Sequence, residues 1–249
     1  MSAAAAPPAD ERSNRLEAMR VAAKKVPLPD RAAALFERQQ SQPDELEKDL
    51  ENHLVGLVEH SMPITSQPGG GHVVGRMLGG SRYYGTAHRA WIFGQTKDGR
   101  FGRVAVPYSR TQKTGWIRLS GMELSRTPYS VRADLSRHVI VVKHLDETIM
   151  TLSAATGASA SPTPPGRYFV TDRVPFEGGY LGTFAFGLSG IQPNLPAGWS
   201  GGDQLAVHGT NNPDSIGTSA SAGCLRVSER SLDRLKPILK LGTPVTIQP

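Results

Sequence analysis

Residues 90–108 read AWIFGQTKDGRFGRVAVPY, two aromatic and β-branched runs that meet at Asp98 and Gly99. An Asp-Gly pair between such runs is the pair that a tight type I′ hairpin prefers. The same grammar returns in TGWIRLSGMEL (114–124), HVIVV (138–142), TIMTL (148–152), QLAVH (204–208) and PVTI (244–247), with turn-forming residues close by. With 27 glycines and 19 prolines among 249 residues, the chain has little room for long helices. A mainly β protein built from short strands is the fold class this pattern dictates.

Two stretches depart from it. SERSLDRLKPILKLG (228–242) reads as a helix, with Ser228 as N-cap, Leu232, Leu235 and Leu239 on one face and Gly242 as its end. Before residue 62, Leu46, Leu50, Leu54, Leu57 and Val58 recur at helical spacing after Pro43 and Asp44. Leu16, Met19 and Ala23 form a weaker stripe, and Pro27 and Pro29 break the chain between the two. SQPGGGH (66–72) then punctuates the sequence. The expected organisation is a helical arm over 1–65, a small β unit over 66–128 and a larger β unit over 129–249. The middle unit resembles a bacterial SH3-like barrel, with GWIRL (115–119) where such modules close.

Charge is unevenly placed. Residues 1–60 carry 8 basic and 11 acidic side chains, residues 61–129 carry 10 and 2, and residues 130–249 carry 10 and 9. The positive field sits on the middle of the chain and suits a polyanion, which could be nucleic acid, an anionic membrane or an anionic envelope polymer. No base-stacking motif accompanies the charge, so nucleic acid is not expected. No apolar run approaches the roughly 20 residues of a membrane span. Residues 1–31 show no secretory h-region, so the chain is either cytosolic or lacks an export segment removed from it.

The only cysteine, Cys224, lies in SASAGCLRVS among small residues. One thiol excludes an internal disulfide framework and a cysteine-rich zinc site. Small neighbours let another molecule approach, whereas a core cysteine more often sits among large apolar side chains. A free thiol, with a pKa of about 8.5, is mostly protonated at neutral pH and needs a base beside it. Of seven histidines, His53 and His60 fall in the arm, and His72 and His88 in the basic unit. His138 and His144 flank an apolar strand and read as surface or edge residues. His208 ends an alternating strand on the face shared with Ala206, directly before Gly209. The 15 residues between it and Cys224 are polar turn formers, enough to fold back and bring imidazole and thiol together.

HGTNNPDSIGTSASAGCLRVS (208–228) resembles the signature of the L,D-transpeptidase catalytic domain, the YkuD family. The resemblance extends over 129–249: ADLSRHVIVV is similar to its opening hairpin, ATGASASPTPPGRYFV to the Thr-Pro-x-Gly segment and GTPVTI to its closing strand. It implies a β-sandwich or barrel-like catalytic domain with short helices. Cys224 would be the nucleophile, His208 its base and the Gly209 carbonyl the group that orients the imidazole. The amides of Gly223 and Cys224 would form the oxyanion hole. Arg226 would bind a substrate carboxylate or pin the loop. Thr210 and Ser221 are placed with it on the substrate side, Ser221 also supporting the turn. Ala222 stands where many members carry histidine, which bears on acceptor binding and thiolate tuning.

The implied reaction is 3→3 cross-linking of peptidoglycan tetrapeptide stems through a cysteine acyl-enzyme, with no metal or cofactor and with carbapenems as covalent inhibitors. The alternatives are an L,D-carboxypeptidase using water as acceptor and a non-catalytic wall-attachment protein. The implied location is the cell envelope. A sortase would need a Thr-Leu-x-Thr-Cys strand, which is absent, and papain-like peptidases place cysteine before histidine. Residues 174–202 are expected to form a lid or wall over the cleft.

Overall fold

The computed structural model describes residues 52–249. The expected helical stripe over Leu16–Ala23 and the Leu46 and Leu50 positions lie outside these residues. Eight strands come first: β1 (His53–Val58), β2 (Met62–Gln67), β3 (Gly70–Met77), β4 (His88–Ile92), β5 (Gly94–Gln95), β6 (Phe101–Ala105), β7 (Thr114–Arg118) and β8 (Leu124–Thr127). They form a three-stranded sheet in the order β4-β1-β8 and a five-stranded sheet in the order β3-β2-β7-β6-β5. One core joins them, made of Val58, Ile64, Met77, Ala90, Ile92, Val104, Ile117 and Leu119.

Four expectations change here. Leu54, Leu57 and Val58 are in a strand, because β1 is paired on both sides, with β4 and with β8. A run as short as LVGLV satisfies helical and extended spacing alike, and available neighbours decide between them. The expected boundary at residue 65/66 accordingly falls inside β2. The GWIR strand, β7, lies inside the five-stranded sheet between β2 and β6, not at its closing edge. At the hairpin, only Gly99 of the pair takes positive φ (67°). Gly99 N–H donates to Thr96 O at 2.9 Å, and the Asp98 carboxylate accepts from Thr96 Oγ1 at 2.6 Å and Arg100 N–H at 3.1 Å. Asp98 thus stabilises a longer turn from inside it, where type I′ would need positive φ at both residues.

The second unit contains β9 (Tyr129–Asp134), β10 (Val139–His144), β11 (Glu147–Ser153), β12 (Thr156–Gly157), β13 (Gly166–Pro175), β14 (Phe184–Ile191), β15 (Gln204–His208), β16 (Ser219–Ser221), β17 (Leu225–Arg226), helix α1 (Glu229–Leu235) and β18 (Pro244–Gln248). Eight of the strands make one sheet in the order β11-β10-β9-β18-β13-β14-β15-β17. Its core runs from Val131 and Ile140 through Tyr168, Phe186 and Leu188 to Val207, Leu225 and the α1 leucines Leu232 and Leu235.

Ser228 caps α1, accepting from Ser231 N–H at 3.2 Å. The helix is shorter than expected because Pro237 has no N–H to continue it, although Leu239 beyond it stays buried. His144 is buried against Tyr129, ring centroids 5.0 Å apart, and is not a surface residue as its sequence position suggested. Within residues 174–202, expected over the cleft, the buried strand β14 occupies the centre, and the stretches on either side of it supply lining residues such as Tyr180 and Trp199.

Candidate active site

β15 alternates as its sequence requires: Leu205 and Val207 face the core, Ala206 and His208 the other side. It pairs antiparallel with β14, aligning His208 with Ala185 and Ala206 with Gly187. On its other edge it pairs parallel with β17, aligning Val207 with Leu225 and His208 with Arg226. Parallel neighbours need a long crossover, and the polar loop after His208 supplies it. Ala185, Gly187, Ala206, His208, Cys224 and Arg226 therefore line one cleft. Three of these side chains are small or absent, which hollows the sheet face where the thiol and imidazole stand.

His208 is only 3% exposed, and its Nδ1 lies 2.6 Å from the Gly209 carbonyl. A carbonyl can only accept, so Nδ1 carries the proton and the neutral ring keeps its lone pair on Nε2. Burial pushes the imidazole pKa down to about 4, against the raising influence of the Gly209 and Leu181 carbonyls and Glu229. The Cys224 thiol donates to the Gln204 carbonyl at 3.7 Å. Burial pushes its pKa up, while the Ala206 amide and the Arg226 charge pull it down. The resting pair is thus a neutral thiol and a neutral imidazole. Arg226 leaves its Nε buried without a partner at the cleft.

Other expected residues stand differently. Gly223 N–H donates to Ser221 Oγ at 3.0 Å, and Ser221 Oγ donates to the Cys224 carbonyl at 2.6 Å. The Gly223 amide is therefore already engaged, and Cys224 is the remaining oxyanion candidate of the two. Glycine is required at 223 by φ of +116° and by the Gln192 side-chain amide, which occupies the space of a Cβ. Ser221 touches the cleft, but its hydroxyl is spent closing the turn. Thr210 is buried away from the cleft lining: its amide donates to Glu229 Oε1 at 3.2 Å and its Oγ1 accepts from Asn212 N–H at 3.0 Å. Ala222 contributes to the wall.

Two contributors escaped the sequence reading. Glu229, the first residue of α1, accepts from Thr183 Oγ1 at 2.5 Å, from Thr183 N–H at 3.3 Å and from Thr210 N–H. Its carboxylate occupies the space that side chains at Gly182 and Gly209 would need, locking the two loops around His208. An acidic residue in a first helical turn is ordinary, which hides this role. The basic unit also enters the cleft, through Tyr83 and Tyr84. Tyr83 OH donates to Asp203, and Arg82 lies 4.0 Å from the same carboxylate.

The L,D-transpeptidase catalytic domain (YkuD) profile matches residues 128–247. YqjB of Bacillus subtilis is 32% identical, the match covering 44% of this chain and 70% of the relative. The chain belongs to the YkuD L,D-transpeptidase family. YkuD of Bacillus licheniformis is 31% identical over 49% of this chain and 67% of its own length, and both relatives carry L,D-transpeptidase names. The match thus spans about two thirds of these relatives. Among solved structures, an L,D-transpeptidase from Mycobacterium smegmatis is 15% identical, covering 78% of this chain and 99% of that one with a TM-score of 0.41. Bd1075 of Bdellovibrio bacteriovorus is 25% identical, covering 49% and 48% with a TM-score of 0.39.

Proposed function

We propose that the chain is a peptidoglycan L,D-transpeptidase that forms 3→3 cross-links through a thioester on Cys224. The observation that carries this reading is the parallel β15–β17 pair, which sets His208 and Cys224 on one cleft with the imidazole held by Gly209. The thiol proton passes to Nε2 as sulfur attacks the carbonyl of the donor stem's third residue. The tetrahedral oxyanion is met by the Cys224 amide. Collapse expels D-alanine, which takes the proton from His208 as it leaves. The amine of a neighbouring stem then attacks the thioester, gives its proton to His208 and regenerates the thiol.

Because thiol and imidazole rest neutral, base catalysis occurs during attack and not from a preformed ion pair. Arg226 favours the thiolate, and as a guanidinium lining the cleft it suits a stem carboxylate. The substrate class places the working protein in the cell envelope. The excess of arginine and lysine on the first unit is assigned to an anionic wall polymer.

Intact-mass measurement after incubation with a carbapenem tests the chemistry. One adduct per chain is expected for wild type and none for Cys224→Ala; a folded wild type that takes no adduct overturns the reading. Digestion with purified disaccharide-tetrapeptides separates the acceptors, since cross-linked dimers report amine and free tripeptides report water.

A further inference from the structure

The thiol's resting hydrogen-bond partner is itself held from behind. The Gln204 carbonyl accepts from Cys224 Sγ, and Gln204, paired with Ile191, borders the interruption of the β14–β15 ladder between the Gly187 and Ile191 pairings. Its side chain bridges that gap. Nε2 reaches Asp172 Oδ2 at 2.9 Å, Thr171 Oγ1 at 3.0 Å and the Leu188 carbonyl at 3.2 Å. Thr171 Oγ1 donates to Asp172 Oδ2 at 2.8 Å. Asp172 is 0% exposed and its Oδ1 has no partner, a costly arrangement for a residue with no structural duty. The network continues into the first unit. Tyr108 N–H donates to the Ser189 carbonyl inside the interrupted stretch at 2.7 Å, and the Tyr108 hydroxyl meets Thr171 and lies 3.4 Å from His88 Nε2.

We propose that Gln204, held by Asp172 and Thr171, is a positioning residue that fixes the carbonyl to which the resting Cys224 thiol donates, so that ionisation of the nucleophile is governed from behind the cleft and from the first β unit. A carbonyl that accepts the S–H stabilises the neutral thiol alone, because a thiolate has no proton to offer it. Moving that carbonyl away removes the stabilisation and eases ionisation, while it also disturbs the strand that carries Ala206 and His208. The ionisable groups that share the cleft with the sulfur are His208, Arg226, Asp203, Tyr83, Tyr84 and Tyr180. Behind it stands Asp172, whose carboxylate loses one hydrogen bond in Gln204→Met and one in Thr171→Val.

The test needs no transpeptidase substrate, so it stands apart from the proposed reaction. Cys224 is the only cysteine, and the pH dependence of alkylation of the full chain by iodoacetamide reads its ionisation directly. Gln204→Met is expected to lower the inflection by about one unit, which is about tenfold faster alkylation on the acid limb. Thr171→Val shifts it less in the same direction, and Thr171→Ser restores the wild-type profile. If Gln204→Met does not fold, the Thr171 pair and Tyr108→Phe, expected to give the smallest downward shift, carry the test. A wild-type inflection in the folded variants overturns the proposal, as does a higher plateau with an unmoved inflection, which reports exposure alone.

Discussion

The floor and the rim of the cleft are built by opposite means. On the floor, Ala185, Gly187, Ala206, His208 and Arg226 are strand residues placed by register, with Cys224 immediately before β17. The polar groups there are satisfied mainly by backbone: Gly209 for the imidazole, Gln204 and Ala206 for the thiol. The rim comes from loops of two different units and is aromatic and open. Tyr84 is 54% exposed, Tyr180 52% and Trp199 39%, and all three line the cleft. Register places reacting atoms to within the tolerance of a hydrogen bond, which chemistry needs; rings on loops offer area to an incoming molecule at low conformational cost, which binding needs. The division assigns turnover to the floor and substrate capture to the rim.

The largest effects should fall on the floor. Cys224→Ala should abolish thioester formation, and His208→Ala should slow carbapenem acylation by about a hundredfold or more, the usual size of a lost general base, with the fold intact by circular dichroism. A His208→Ala variant that acylates at the wild-type rate would remove the imidazole from the mechanism. Next comes Glu229→Ala, which frees the Thr183 and Thr210 amides and loosens the loops on either side of His208. It should lower kcat by about tenfold to a hundredfold with KM little changed, and a KM-only effect would move Glu229 to the binding side of the comparison.

The buried imidazole also makes the floor acid-labile. With its pKa pushed down to about 4 in the fold against about 6.5 unfolded, the unfolded chain binds the extra proton between these values. Stability therefore falls as pH drops from about 6.5 to about 4, by roughly 3 kcal/mol from this residue at most. Buried His88 and His144, also shifted down, act in the same direction. Urea unfolding at pH 7 and pH 4.5, in wild type and in His208→Gln, measures the share of His208, and equal losses in the two proteins would contradict it. Smallest are the rim substitutions. Tyr84→Ala and Trp199→Ala should raise KM for stem substrates by about threefold to tenfold and leave kcat within about twofold. A large kcat loss at Tyr84 would show that the first unit takes part in the chemistry as well as in binding.

How much of this is legible without coordinates depends on the range of the interaction. The alternation of β15, the Ser228 cap and the glycine at 223 are local, and they stand in the sequence as patterns. Even so, the Gly223 amide turned out to be engaged by Ser221 two residues earlier, because hydroxyl direction is not a spacing. β1 was misread as helical since its pairing partners lie some thirty-five and seventy residues onward. Glu229 looked like an ordinary first-turn acid, and the residues that make room for its carboxylate, Gly182 and Gly209, carry no side chain to announce a contact. Tyr83 and Tyr84 sit about 120 residues from Asp203 and looked like part of a separate basic module.

By itself, then, the order of residues determined that this chain would be short-stranded and mainly β, and that one imidazole and one thiol would be joined by a loop long enough for a parallel return. Periodicity, turn chemistry and loop length act over a few bonds, so they can be read along a line. Which amide is spent, which carboxylate braces the base and which distant tyrosines face the thiol were decided only when the sheets packed. Those contacts arise from directions in space and from solvent exclusion, and neither quantity exists until the chain has folded.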